Sequence, residues 1–161
     1  SAGIVTCPTE NSCVWTAHHH AYIPIYICGE YLRLPGEEGS LVGPHTHEEK
    51  NIAHWHDKLP YNPQTKTIEN TEPLALGVFF DAIKVPFSST TIAGKKNGDL
   101  CGPGKPGTIR MFVNGENSTA FRSYVWHDKD VIYITFDADP IETTEKELKD
   151  HPIAFPKLGR G

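Results

Sequence analysis

At 161 residues the chain is long enough to bury one core and leaves room for long loops, and its composition shows no second block that would mark another domain. A net charge of −5 with histidines neutral, and basic residues scattered along the chain, exclude the electrostatic footprint of a nucleic-acid binder. No apolar stretch approaches the roughly 18 residues of a membrane span, and Ser1-Ala2-Gly3 shows no charged segment leading into an apolar one, so the chain reads as a mature or truncated form.

Residues 1–16 read as an irregular N-terminal arm clipped by Cys7 and Cys13, which flank a polar loop. His18-His19-His20 then opens an apolar run. Ala21 to Cys28 is β-branched and aromatic, Gly29-Glu30 is a turn signal, and Tyr31 to Pro35 is short and alternating, which predicts a β-hairpin. Pro24 has no amide proton, so its strand lies at an edge there or carries a bulge. A glycine-punctuated loop, 36–43, leads into Pro44-His45-Thr46-His47-Glu48-Glu49-Lys50-Asn51-Ile52-Ala53-His54-Trp55-His56-Asp57, and 57–73, with Pro60, Pro63 and Pro73, reads as a long loop. Leu76, Phe79, Phe80 and Ile83 recur at helical spacing, and Pro86 ends that helix. A Gly/Ser/Lys-rich loop, 88–107, precedes an alternating strand over 108–113. Asn114-Gly115 signals a tight turn, and Tyr124-Val125-Trp126 leads through His127-Asp128-Lys129-Asp130 into a last strand over 131–136. The tail forms one polar helix over 143–150. This order gives the α+β class, a mostly antiparallel sheet with one main helix packed on one face and long loops. Residues 1–16 are then an arm, 17–137 a single domain, and 138–161 a C-terminal tail.

Seven of the nine histidines fall between positions 18 and 56. In an extended strand alternate side chains share a face, so His18 with His20, His45 with His47, and His54 with His56 each form a two-tooth chelate. Neutral imidazole is the commonest protein ligand for zinc, copper and nickel, and a site of three or four nitrogens needs two of these pairs brought together. The short segment between His47 and His54 is enough for a turn that does so. His18, His20, His45, His47, His54 and His56 are therefore the candidate metal ligands. A lone His-x-His pair is ordinarily solvated; three in one domain point to a metal. His19 faces the other way, Trp55 packs in the core, and His127 and His151 read as turn and tail residues. Glu48, Glu49 or Asp57 could complete a ligand set or orient a ligating imidazole, with Asp57, next to His56, suited only to the outer role.

The chain has one methionine, and none of its four cysteines lies inside the histidine cluster, which disfavours a thiolate or thioether copper(I) carrier and favours copper(II) or zinc. Cys7, Cys13, Cys28 and Cys101 contain no C-x-x-C and allow three complete pairings. Surface disulfides imply an oxidising compartment, and with it an extracytoplasmic protein, whether secreted, periplasmic or cell-surface.

Two resemblances extend this reading. Met111-Phe112-Val113-Asn114-Gly115, followed by His127-Asp128-Lys129-Asp130-Val131-Ile132-Tyr133-Ile134, resembles the second half of a β-grasp domain, with Lys129 where the turn usually has glycine. Without a Gly-Gly terminus there, modifier chemistry does not carry over. His18-x-His20-Ala21, Ile25-Tyr26-Ile27-Cys28-Gly29, Pro44-His45-Thr46-His47-Glu48 with His54, and Leu76-Gly77-Val78-Phe79-Phe80-Asp81 are similar to a group of small, histidine-rich exported proteins presumed to bind metal. Their pattern runs H-x-H-A, I-Y-V-x-G, L-H-T-H-D-x-x-G-x-I-H and L-G-x-F-F-D. This chain departs from it at Glu48 (aspartate), Asn51 (glycine) and His56 (usually acidic).

Three functions fit. The preferred one is an exported protein that sequesters, delivers or senses copper or zinc, with the metal ion and a transfer protein as partners. The second is a metalloenzyme in which three histidines and an open water position support hydrolysis or hydration. The third is a β-grasp interaction module with a structural metal. No G-x-S-x-G or G-x-x-x-x-G-K-[ST] motif supplies a competing site, and Gly102-Pro103-Gly104-Lys105-Pro106-Gly107 reads as a loop.

Overall fold

The structure, a computed structural model, describes residues 3–36, 43–46 and 51–157, with backbone only for 43–46. Twelve strands and two α-helices follow one another among the described residues. They are β1 (Ile4–Thr9), β2 (Ser12–Tyr22), β3 (Ile25–Ile27), β4 (Glu30–Tyr31), β5 (Gly43–Thr46), β6 (Ile52–Asn62), β7 (Thr67–Ile68), α1 (Leu76–Ala82), β8 (Thr91–Ile92), β9 (Lys95–Lys96), β10 (Thr108–Val113), β11 (Glu116–Ser118), β12 (Asp130–Asp137) and α2 (Ile141–Asp150). Ten of the strands form one mixed sheet with the path β11-β10-β12-β2-β6-β5, while β8 and β9 form a separate hairpin. The chain is thus α+β and mostly strand.

The sheet is mixed because β12 runs parallel to β2 and β3 and antiparallel to β10. β2 and β3 follow one line along β12, with Asp130 opposite Ala21 and Ile134 opposite Ile25. Between them Pro24, which cannot donate to a ladder, interrupts the strand, and its carbonyl accepts from Ile134 N–H at 3.0 Å. The hairpin expected after it forms between β3 and β4, with its turn one residue earlier, at Cys28-Gly29. Both have positive φ (52° and 83°), as do Asn114 and Gly115 (52° and 85°), the two-residue turn geometry that matches strand twist.

Several expected loops are strands. Residues 1–16 are not irregular: β1 pairs with β2, and Cys7 is bonded to Cys13 across that hairpin. The segment 57–73 was expected to be loop because of its prolines, yet β6 continues to Asn62. Pro60 lies opposite Val14 and beyond the stretch of β6 that pairs with β5, so its missing donor need not interrupt that ladder. Ahead of the last strand, residues 124–126 contribute a single bridge, Val125 to Ala75.

Alternation sorts the sheet into two faces. On one, Ala17, Ala21, Ala53, Trp55, Ile132, Ile134 and Phe136 pack with Leu76, Phe79 and Phe80 of α1 in a single core. The other carries Phe112, Val131 and Tyr133, and there α2 buries Thr144 and Leu148, so the two helices lie on opposite faces rather than on one. Cys28 and Cys101 form the second disulfide, tying the β3–β4 turn to the loop before β10.

Asn51 fixes where β6 begins. It is 1 % exposed, and its carboxamide accepts from Leu34 N–H (2.7 Å) and donates to the Ile23 and Leu32 carbonyls (2.9 Å each). Its φ of 51° lies in the left-handed region that glycine adopts freely and that asparagine tolerates better than most side chains. Replacing Asn51 with Ala leaves three buried backbone groups without partners and strains the backbone. We expect a loss of about 3 kcal/mol in urea unfolding, and a smaller loss for Asn51→Gly, which relieves the strain alone.

The two disulfides close loops of very different size, with sequence separations of 6 and 73. Loop-closure entropy then predicts a cost of about 4 kcal/mol for the Cys28→Ala/Cys101→Ala pair and about 2 kcal/mol for Cys7→Ala/Cys13→Ala, measured by the same unfolding experiment.

Candidate metal centre

The histidines assemble because β2 and β6 pair antiparallel over ten residues, from Cys13 opposite Tyr61 to Tyr22 opposite Ile52. In that register His18 stands opposite His56 and His20 opposite His54. Directly opposed residues share a face, so the four imidazoles form a two-by-two patch on the side away from α1. The ring centroids of His18 and His20 are 4.6 Å apart, those of His20 and His54 4.5 Å, and those of His18 and His56 5.3 Å.

Within this patch His18, His20 and His54 each present a ring nitrogen within 4.8 Å of the other two. Around a tetrahedral zinc with Zn–N bonds of about 2.0–2.1 Å, ligand nitrogens lie roughly 3.3 Å apart, so small side-chain rotations would bring the three onto one ion. Solvent reaches the group from one side: His18 is exposed, His20 and His54 are buried, and His56 is half-buried.

The remaining candidates fall as follows. β5 pairs with β6 so that His45 stands opposite His54, which is the chain reversal expected between the two histidine pairs. The side chain of His45, and His47, Glu48 and Glu49 altogether, lie outside the described residues. Asp57 is exposed, its carboxylate accepts from Lys58 N–H, and alternation puts it with Trp55 on the face opposite the histidines. His151 is exposed in the tail.

His19 lies on the core face, as alternation requires. It packs between Trp15 (5.1 Å), Trp55 (6.1 Å) and Trp126 (6.2 Å), and burial lowers its pKa to about 4, which holds the ring neutral. Trp55, flanked by two histidines in sequence, is fully buried beside it.

A contact that sequence spacing did not reveal holds the backbone of His20. The turn before β12 docks on β2: His20 N–H donates to the Asp128 carboxylate (3.0 Å), and Lys129 N–H donates to the His20 carbonyl (2.6 Å). Lys129 has φ 68°, in the left-handed region that glycine adopts most readily. Buried Asp130 holds the turn, accepting from Tyr124 Oη (2.6 Å), His127 N–H (2.8 Å) and Asn114 Nδ2 (3.0 Å). His127 is accordingly a turn residue. The Asp-x-Asp spacing at 128 and 130 was the available signal, but only the parallel pairing of β12 with β2 gives it a partner.

Comparison with protein families, with curated proteins and with solved structures finds no match for this chain.

Removing the Asp128 carboxylate leaves the His20 amide without its acceptor. We expect Asp128→Ala to cost about 1–2 kcal/mol and to speed hydrogen exchange at the His20 amide more than at amides of β10.

Proposed function

We propose that this protein is an exported metal-binding protein that uses its histidine patch to hold copper(II) or zinc for sequestration, delivery or sensing. The observation that supports the reading is the convergence of His18, His20 and His54 from two strands, with ligand atoms within 4.8 Å of one another. Three neutral imidazoles with no thiolate suit zinc and copper(II), and a fourth donor comes from His56, beside His18, or from His45, in register with His54. Two disulfides support an oxidising, extracytoplasmic setting, and among the described residues no helix is long and apolar enough to cross a membrane. The parallel pairing of the last strand with the first long strands supports a β-grasp-like reading of the sheet. The resemblance to small histidine-rich exported proteins agrees with the same function.

A hydrolytic reading is kept by one feature. Three imidazoles with one exposed edge are the donor number that in zinc enzymes leaves room for water. A protein ligand at the fourth position removes that option; a bound water that ionises near neutrality supports it.

The test is elemental analysis and competition titration of untagged protein that has never met a nickel column. We expect one equivalent of copper(II) or zinc held tighter than micromolar, and a loss of at least a hundredfold in affinity for His20→Ala/His54→Ala. His19→Phe should bind within about threefold of the parent, because position 19 faces the core. Equal binding by the parent and the His20/His54 double variant would end the proposal. Nitrogen couplings in the copper(II) EPR spectrum of His45→Ala and His56→Ala identify the fourth donor.

A further inference from the structure

A second site of different chemistry lies on the same face of the sheet, between β3, β12 and α2. A cleft of about 460 Å³ is walled by Tyr26 and Tyr133 and edged by Asp137, Asp139 and Glu147, a volume ordinary for a small-ligand site. Among the described residues, none that lines it is basic. Arg110 touches its rim, 3.6 Å from the Asp137 carboxylate and donating to the Asp139 carbonyl.

Thr135 supplies an independent sign of a ligand. It lines the cleft, is 2 % exposed, and its buried hydroxyl has no hydrogen-bond partner. A buried hydroxyl without a partner is costly, and a bound donor removes that cost. The rings of Tyr26 and Tyr133 stand 6.1 Å apart at 71°, edge to face, and give the cleft an aromatic wall against which a cation with an apolar stem can lie. Burial, together with Glu147, Tyr26 and Asp137, pushes the Tyr133 hydroxyl up to about 12, and burial with the neighbouring Asp139 raises Asp137. Both shifts are led by burial, with the neighbouring carboxylates adding to each.

A bare metal ion does not fit this arrangement. Among the described residues only the histidine group brings three ligand atoms close enough for one ion. The cleft asks for a larger cation with an apolar stem for the tyrosine walls and N–H donors for the hydroxyl and carboxylates.

We propose that this cleft binds a primary alkylammonium group, carried either by a free diamine or by a lysine side chain. The ammonium donates to Thr135 Oγ1 and to Asp137, Glu147 sets the potential from α2, and the methylene stem lies along the wall formed by Tyr26 and Tyr133. A quaternary ammonium ion has the charge but no N–H, and a diol has the stem but no charge.

Calorimetric and NMR titrations of the full chain, stripped of metal, with 1,5-diaminopentane and with Nα-acetyl-lysine amide test this. We expect saturable one-to-one binding of at least one of the two, shifted Tyr26 and Tyr133 ring resonances, and binding at least tenfold weaker for tetramethylammonium and for 1,5-pentanediol. The tighter of the two amines identifies the source. Asp137→Asn and Thr135→Val should each weaken binding about tenfold. Glu147→Gln, on an exposed helical position, should weaken it severalfold with the near-UV circular dichroism unchanged, which separates loss of the site from loss of the fold. No saturation by millimolar concentrations of either amine, undiminished affinity in Glu147→Gln together with Thr135→Val, or equal affinity for tetramethylammonium would overturn the proposal.

Discussion

The antiparallel register of β2 against β6 is the constraint on which the rest depends. Side chains alternate along a strand, so a slip of β6 by one residue against β2 would send His54 and His56 into the core, turn Trp55 out to water and break up the patch. Burying Trp55, Ala17, Ala21 and Ala53 against α1 therefore enforces the histidine patch on the other side. The ladder is secured at both ends: Asn51 fixes the turn into Ile52, and the Cys7–Cys13 bond braces the hairpin leading into β2. Hydrophobic burial on one face thus gathers the imidazoles on the other.

This explains why the histidine pairs were legible from spacing. Alternation within 18–20 and 54–56 depends only on the strand period, and the helix around Phe79 and Phe80 only on the helical one. Asn114-Gly115 announced its turn by backbone preference. What spacing cannot carry is pairing between distant segments, and there the reading stopped. β1 is exposed along its whole length and shows no apolar alternation, so it read as an arm. Pro60 looked like a breaker because its harmless position on β6 depends on where β5 ends. Asn51 is a single buried polar residue with no periodic signature. α2 went to the opposite face because β12 is apolar on both sides: Ile132, Ile134 and Phe136 meet α1, while Val131 and Tyr133 look toward α2.

The two faces divide the labour of the molecule. The α1 face is dry and aromatic, and holds even His19 as a neutral ring among tryptophans. The other face is split. Over β10 and β12 it is roofed by α2, and over β2 and β6 it carries imidazoles whose exposure rises from His54 to His18. Polar chemistry gathers on this second face because a helix covers only part of it.

The parallel contact of β12 with β2 also governs how the chain reaches this state. The bond from His20 to Asp128 spans 108 positions, whereas the β2–β6 ladder joins segments far closer in sequence. Non-local closure is slow, so the histidine ladder can zip up well before the last strand arrives beside it. Once Cys28 and Cys101 are joined, the chain between them no longer has to be traversed as open loop, and the entropic distance from β2 to β12 shrinks. Oxidation of that pair is therefore a kinetic shortcut: it hastens the meeting of the two ends of the sheet and shortens the time that the unpaired edge of β2 is open to other chains.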